Sequence, residues 1–238
     1  MGDVSAILQV YLFPKGEKEN TMRELASPLR FEKRHVAITA AYSNPGFLYN
    51  MGNLLALFGS LALFVLLSGS GRGVTADGFA AHFLGNWPAL LTTIASVIFF
   101  VSGLQYAKGW AKGFPPDTRS NNAGHALSTL GALTIGIALI GLARTEVALA
   151  LAIVATILHA GGKLASWRSP TRDGYFKPMP LYSRVPYLTT LCLDMRNEVI
   201  TSQSWNLLPA NFVLPLCLLA ATLFWARADW LLLQTVEE

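Results

Sequence analysis

The stretch VALALAIVATILHAGGKLASW, residues 147–167, runs through a dozen apolar or small residues before His159 and Lys163 appear, four apart and on one helical face. A helix needs about 20 apolar residues to cross the hydrocarbon of a bilayer. Val147 to Gly162 is shorter than that, and the helix reaches Trp167 only if Lys163 runs its ammonium along its own stem to the headgroups. Four further stretches approach the required length without an internal Lys, Arg, Asp or Glu: Gly46 to Leu67, Pro88 to Ala107, His125 to Ala143 and Pro209 to Ala226.

Composition agrees with these runs. Of 238 residues, 53% are hydrophobic and 13% charged, with a mean hydropathy of +0.42, more apolar surface than one soluble core of this size hides. The expected fold class is therefore an all-α integral membrane protein, a bundle of five transmembrane helices with a cytoplasmic amphipathic helix. Residues 1–45 form an N-terminal cytoplasmic segment and 46–162 hold the first four spans. Residues 163–208 form a basic cytoplasmic loop, and 209–238 the last span with a short tail. Cys192 and Cys217 belong to no CxxC motif or Cys/His cluster, which argues against a disulfide scaffold and a structural zinc site. The first 35 residues lack an apolar h-region and a small-residue cleavage site, so no cleaved signal is expected.

With five spans, fifteen of the eighteen Lys and Arg residues fall on one side, and Arg72, Arg144 and Arg227 on the other. Cations are retained on the cytoplasmic face, which places the N-terminus inside and the C-terminus outside a plasma membrane of the bacterial inner-membrane kind. All six tryptophans fall near expected span ends, where an amphipathic ring prefers headgroup depth.

In the 163–208 loop, Arg168, Arg172, Lys177 and Arg184 suit anionic headgroups. Residues 187–200 follow a helical repeat in Leu188, Leu191, Cys192, Met195 and Val199, and read as an amphipathic helix that either lies on the membrane or a partner or packs against the protein's own helix ends. Within the spans, small residues recur at helical spacing: Gly52, Ala56 and Ser60 in the first; Gly124, Ser128, Ala132 and Gly136 along the third; Ala148, Ala152, Thr156 and Ala160 in the fourth. Such stripes let backbones approach closely in lipid. The connection near Arg144 is so short that the third and fourth spans must form an antiparallel hairpin, with their stripes facing each other or a further helix.

Chemistry is sparse. GSGRGVTADG, residues 69–78, and HAGGKLAS, residues 159–166, both lack the GxxxxGK[ST] spacing of a phosphate loop. A net charge of +4 without a dense basic and aromatic patch gives no support for nucleic-acid binding. His125 and His159 both approach the cytoplasmic face and form a candidate haem b or quinone pair, yet their offsets from the hairpin turn differ by four residues, roughly 6 Å of depth. No catalytic residue, metal ligand or cofactor is expected. The expected role is a non-catalytic, multi-pass subunit that scaffolds a larger membrane complex, with the bilayer and other membrane subunits as partners. A small channel or transporter is the first alternative, and a haem- or quinone-binding electron-transfer subunit the second.

Overall fold

The structure, a computed structural model of the chain, describes residues 44–69, 85–111, 119–168, 179–201 and 208–234, all of them helices and the short caps and turn beside them. In chain order these are α1 (Pro45–Gly69), α2 (Trp87–Ala111), α3 (Arg119–Leu142), α4 (Glu146–Arg168), α5 (Met179–Thr201) and α6 (Leu208–Gln234). Five of them are long and apolar enough to cross a membrane, namely α1, α2, α3, α4 and α6. The N-terminal segment, Arg172 and Lys177 lie outside the described residues.

The starts are set by local chemistry. Asn44 Oδ1 accepts the Gly46 and Phe47 amides at 2.9 and 3.2 Å, capping α1 with Pro45 as its first residue. The Asn86 carbonyl accepts the Ala89 and Leu90 amides at the head of α2. Thr145 Oγ1 accepts the Ala148 amide at 3.1 Å, and only three residues separate the end of α3 from the start of α4.

Each helix packs on its sequence neighbours and α6 closes against α1, giving a ring of six. Neighbours run antiparallel. Tyr49 and Gly52 at the head of α1 meet Asp229 and Trp225 near the tail of α6, while Gly59 meets Cys217 further along. Gly124, Gly131 and Gly141 of α3 lie against Tyr106, Phe99 and Trp87 of α2, and Gly136 lies against Thr156 of α4. Phe99 reaches the middle of the ring, with its centroid 6.3 Å from that of His159 and 5.9 Å from that of Trp225.

The ring adds two features to the expected arrangement. The helix read as 187–200 on a membrane surface is the second half of α5, which packs along α4 and α6 as a full member of the ring. Asp194 of α5 accepts the Arg144 amide at 2.9 Å, and Thr190 lies beside the Ala148 carbonyl at 3.4 Å, so the end of α5 adjoins the α3–α4 turn. Furthermore, the head of α1 and the tail of α6 sit at the same end of the bundle. α6 also continues beyond Ala226 through Arg227 and Asp229 to Gln234.

The reason lies in the polarity of α5, which is reversed from that of a surface helix. Its buried face carries Ser183, Arg184, Tyr187, Thr190, Leu191 and Asp194. Its outer face carries Val185 at 69% and Ile200 at 65% exposure, with Tyr182, Cys192 and Val199 beside them, and is interrupted by exposed Thr189 and Arg196. Of the residues expected to dock on membrane or partner, Leu191 is buried in the core, Leu188 and Met195 are half-buried and Val199 is exposed, while Arg184 points inward.

Candidate functional site: an ionic cluster at one end of the ring

At the end of the ring that holds the α1 head and the α6 tail, four helices contribute polar side chains to its interior. Arg184 Nε of α5 donates to Asp229 Oδ2 of α6 at 2.8 Å, and the Tyr49 hydroxyl of α1 donates to Asp229 Oδ1. Both carboxylate oxygens are thereby used. Arg184 Nη2 lies 3.4 Å from His159 Nε2 of α4, and His159 Nδ1 lies 3.4 Å from the Tyr187 hydroxyl. Among the described residues, the buried Arg184 Nη1 has no hydrogen-bond partner.

Lys163, one turn beyond His159 on α4, holds its ammonium 5.0 Å from the centre of the Tyr49 ring across the end of the bundle. Among the described residues no carboxylate is within ion-pair reach of it. The guanidinium lies between aromatic faces, 5.4 Å from Trp225 and 5.9 Å from Tyr187, distances at which a ring attracts a cation. Trp225 is fixed in turn by donating Nε1–H to Asn53 Oδ1 at 3.2 Å, and it fits because Gly52 has no Cβ to collide with it. This tryptophan is buried in the bundle, unlike the half-exposed Trp87, Trp167 and Trp230.

The two histidines occupy different neighbourhoods. His125 Nδ1 lies 3.1 Å from the Tyr106 hydroxyl, edge-on to that ring, between α2 and α3. His159 has both ring nitrogens facing side chains of α5, so neither lone pair is free for iron without breaking the cluster. No group of three or more His, Cys, Asp or Glu residues gathers as a metal site among the described residues.

A second polar feature lies at the opposite end, where Asn86, Trp87, Arg144, Asp194 and Glu198 line a cavity of about 240 Å³ with apolar walls that include Leu63, Leu142 and Leu214. Asp194 Oδ1 accepts the Arg144 amide, whereas its buried Oδ2 has no partner among the described residues. The Arg144 side chain, 52% exposed, approaches Glu198 at 3.6 Å. The buried face of α5 therefore carries an ionisable group near each end, Arg184 and Asp194, ten residues or about 15 Å apart along the helix.

The small-residue stripes are taken up inside the chain. Ala132, Ala148, Ala152, Ala56 and Ser60 are fully buried, Ser128 and Thr156 are buried, and Ala160 is half-buried. Ser60 accepts a hydrogen bond from Thr93 of α2 at 2.9 Å, and the Gly124 carbonyl accepts one from Ser102 at 2.8 Å. Asp229 had no signal in an apolar-run reading, because that reading ended the last helix before it. Arg184 and Asp194 carried one in retrospect: with Ser183, Tyr187 and Thr190 they follow the helical repeat as closely as the apolar stripe does. No protein-family model, curated protein or solved structure matches the chain.

Proposed function

We propose that the protein is a small membrane transport protein in which α5 crosses the bilayer as a sixth span and its inward polar face forms the working interior. The observation that carries this reading is the reversed polarity of α5, with Arg184, Tyr187, Thr190 and Asp194 buried while Val185 and Ile200 face outward. Ionisable side chains at membrane depth face bundle interiors or water-filled paths, and they mark ion and substrate routes. Burying a charge still costs several kcal/mol after relaxation, and a well-packed apolar face between α4 and α6 would hold the ring as firmly. The polar face thus does more than join helices.

Six crossings place both flanks of the bundle on one side. The other side then carries only Arg72, Arg144 and Arg196 of the eighteen cations, which again favours a cytoplasmic N-terminus and now a cytoplasmic C-terminus too. The scaffold role drew on small-residue stripes as surfaces for other subunits; within this ring they serve the chain's own packing, and that support falls away. The electron-transfer role drew on paired histidines, which the ring holds apart between different helices.

The test is charge displacement on solid-supported membranes. Proteoliposomes are pulsed in turn with small anions (chloride, acetate, benzoate, phosphate) and small cations (sodium, potassium, methylammonium). Transient currents with at least one solute, abolished by Arg184→Met with Asp229→Leu, which keeps the ring packed, are the expected result. Wild-type proteoliposomes electrically silent to every pulse, and equally unable to take up radiolabelled forms of these solutes, would overturn the reading.

A further inference from the structure

We propose that the ionic cluster at the Arg184 end of the ring is a binding site for a singly charged oxyanion, a carboxylate or a phosphodiester. The inference deepens the transport reading and rests on it for the claim that the site lies on a working path. The argument begins with charge. The cluster holds two cations, Arg184 and Lys163, and one acid, Asp229. Each oxygen of Asp229 already accepts one hydrogen bond, Oδ2 from Arg184 Nε and Oδ1 from the Tyr49 hydroxyl. One positive charge is left over in a largely desolvated setting, where unpaired charge is costly. A monoanion balances it, whereas a dianion would leave an unpaired negative charge.

Donors come next. Arg184 has spent Nε on Asp229 and turns Nη2 towards His159 at the long distance of 3.4 Å, and its Nη1 is buried without a partner among the described residues. An oxyanion accepts from such a planar fork through two oxygens, or through one oxygen with the second left for a neighbouring ammonium. Lys163 supplies that ammonium. It is half-buried, and it extends from α4 towards Tyr49 of α1, helices that are not ring neighbours, so it sits over the axis at the bundle's end. A solute arriving along that axis meets Lys163 first and Arg184 beneath it.

Aromatic rings surround the cluster. Tyr49, Tyr187, Phe99 and Trp225 all lie within the same cluster of ring contacts, and none brings a second acid that would repel an anion. The two sources of such an anion differ in how they arrive. A soluble monocarboxylate enters along the axis, while a lipid phosphodiester enters between helices from the headgroup layer.

The experiment measures binding without a gradient, so its failure is distinct from a failure of transport. Purified full-length protein in a zwitterionic detergent is titrated calorimetrically with sodium benzoate and sodium acetate against sodium chloride of equal strength. In parallel, its thermal unfolding is followed in nanodiscs of phosphatidylcholine alone and with added phosphatidylglycerol. Saturable benzoate binding, weakened roughly tenfold or more by Lys163→Gln, is the expected result for a soluble anion. A phosphatidylglycerol-dependent rise in unfolding temperature that Lys163→Gln removes, with no benzoate heat, assigns the site to a lipid headgroup. Lys163 is half-buried and joins no ion pair among the described residues, so its replacement leaves the fold intact, and Lys163→Arg should retain binding. No saturable heat together with no lipid-dependent stabilisation overturns the proposal, as does binding indifferent to Lys163→Gln. Binding present with no flux in proteoliposomes would instead retain the site and remove the transport reading.

Discussion

Arg184 and Asp229, 45 residues apart in the chain, meet at 2.8 Å with side chains 3% and 0% exposed, and so join α5 to α6 inside the ring. The Tyr49 hydroxyl on the second oxygen of Asp229 extends the join to α1. A buried pair of this kind is far more costly to break than to lack. Asp229→Ala should therefore lower stability in detergent by about 3–5 kcal/mol, because it strands a buried guanidinium and removes the tyrosine's acceptor. The double replacement Arg184→Met with Asp229→Leu should recover most of that loss. Denaturant titration of the two variants beside wild type checks both, and an Asp229→Ala protein as stable as wild type would show that the pair is not a join at all.

The same contact sets topology. Since the α1 head and the α6 tail share one end of the bundle, a reporter fused after Glu238 should fall on the same side of the membrane as one fused before Met1. A reporter inserted within 202–207, between α5 and α6, should fall on the opposite side. Paired fluorescent and alkaline phosphatase fusions read this directly. Opposite signals from the two termini would remove α5 from the membrane.

The sequence made the apolar rods legible and concealed the polar one. Runs free of charge identified α1, α2, α3 and α6, and α4 was visible once Lys163 was allowed to reach past the hydrocarbon. The hairpin of α3 and α4 followed from the short connection at Arg144. α5 escaped because hydropathy averages over all faces: Arg184, Asp194 and Glu198, with Pro180, Pro186 and the exposed Arg196, lower its mean although Tyr182, Val185, Val199 and Ile200 lie on its outside. Leu188, Leu191, Met195 and Val199 read as one apolar face for membrane or partner, yet the ring buries Leu191 and leaves Val199 outside. The candidate site escaped with it. His159 was noticed, yet two of its cluster partners lie on α5, and Asp229 lies beyond the point where the apolar run stops.

Close packing makes a sharper set of variants. A Cβ on Gly136 would lie 2.5 Å from Thr156, and one on Gly59 would lie 2.4 Å from the Cys217 Cβ, while one on Gly161 would meet nothing within 4 Å. Gly136→Ala and Gly59→Ala should each lower stability by about 1–3 kcal/mol through overpacking. Gly161→Ala should raise it by roughly 0.5–1 kcal/mol, as a helix-interior glycine replaced without a clash. Thermal unfolding in one detergent across the three variants checks the order, and equal effects at all three positions would deny that α3 and α1 approach their neighbours so closely.

Asp194 offers a test at the opposite end. Its Oδ1 holds the Arg144 amide at the α3–α4 turn, but its Oδ2 is buried without a partner among the described residues. Asn at this position keeps the acceptor and removes the unsatisfied charge, so Asp194→Asn should match or exceed wild-type stability. Asp194→Ala frees the Arg144 amide and should cost about 1–3 kcal/mol. Calorimetric unfolding distinguishes them, and a loss in Asp194→Asn as large as that in Asp194→Ala would mean that the charge itself is needed there.

The outward face of α5 can be located in the bilayer by spin labels. Cys192 is exposed midway along the helix, with Val185 a turn or two nearer its start and Ile200 at its end. Labels are placed one at a time at Cys192, Val185→Cys and Ile200→Cys, with Cys217 replaced throughout and Cys192 replaced in the latter two. Relaxation by oxygen, which concentrates in hydrocarbon, is then compared with relaxation by a water-soluble nickel chelate. A crossing helix gives the highest oxygen-to-nickel ratio at Cys192 and lower ratios towards both ends, following the rise of about 1.5 Å per residue. A helix lying along the interface gives one ratio at all three, because its axis stays at constant depth. A label at Thr190→Cys, on the buried face, should be shielded from both reagents in either geometry and reports that the ring has formed. A flat profile over the three outward sites, with Thr190→Cys still shielded, would place α5 on the membrane surface and return the bundle to five crossings.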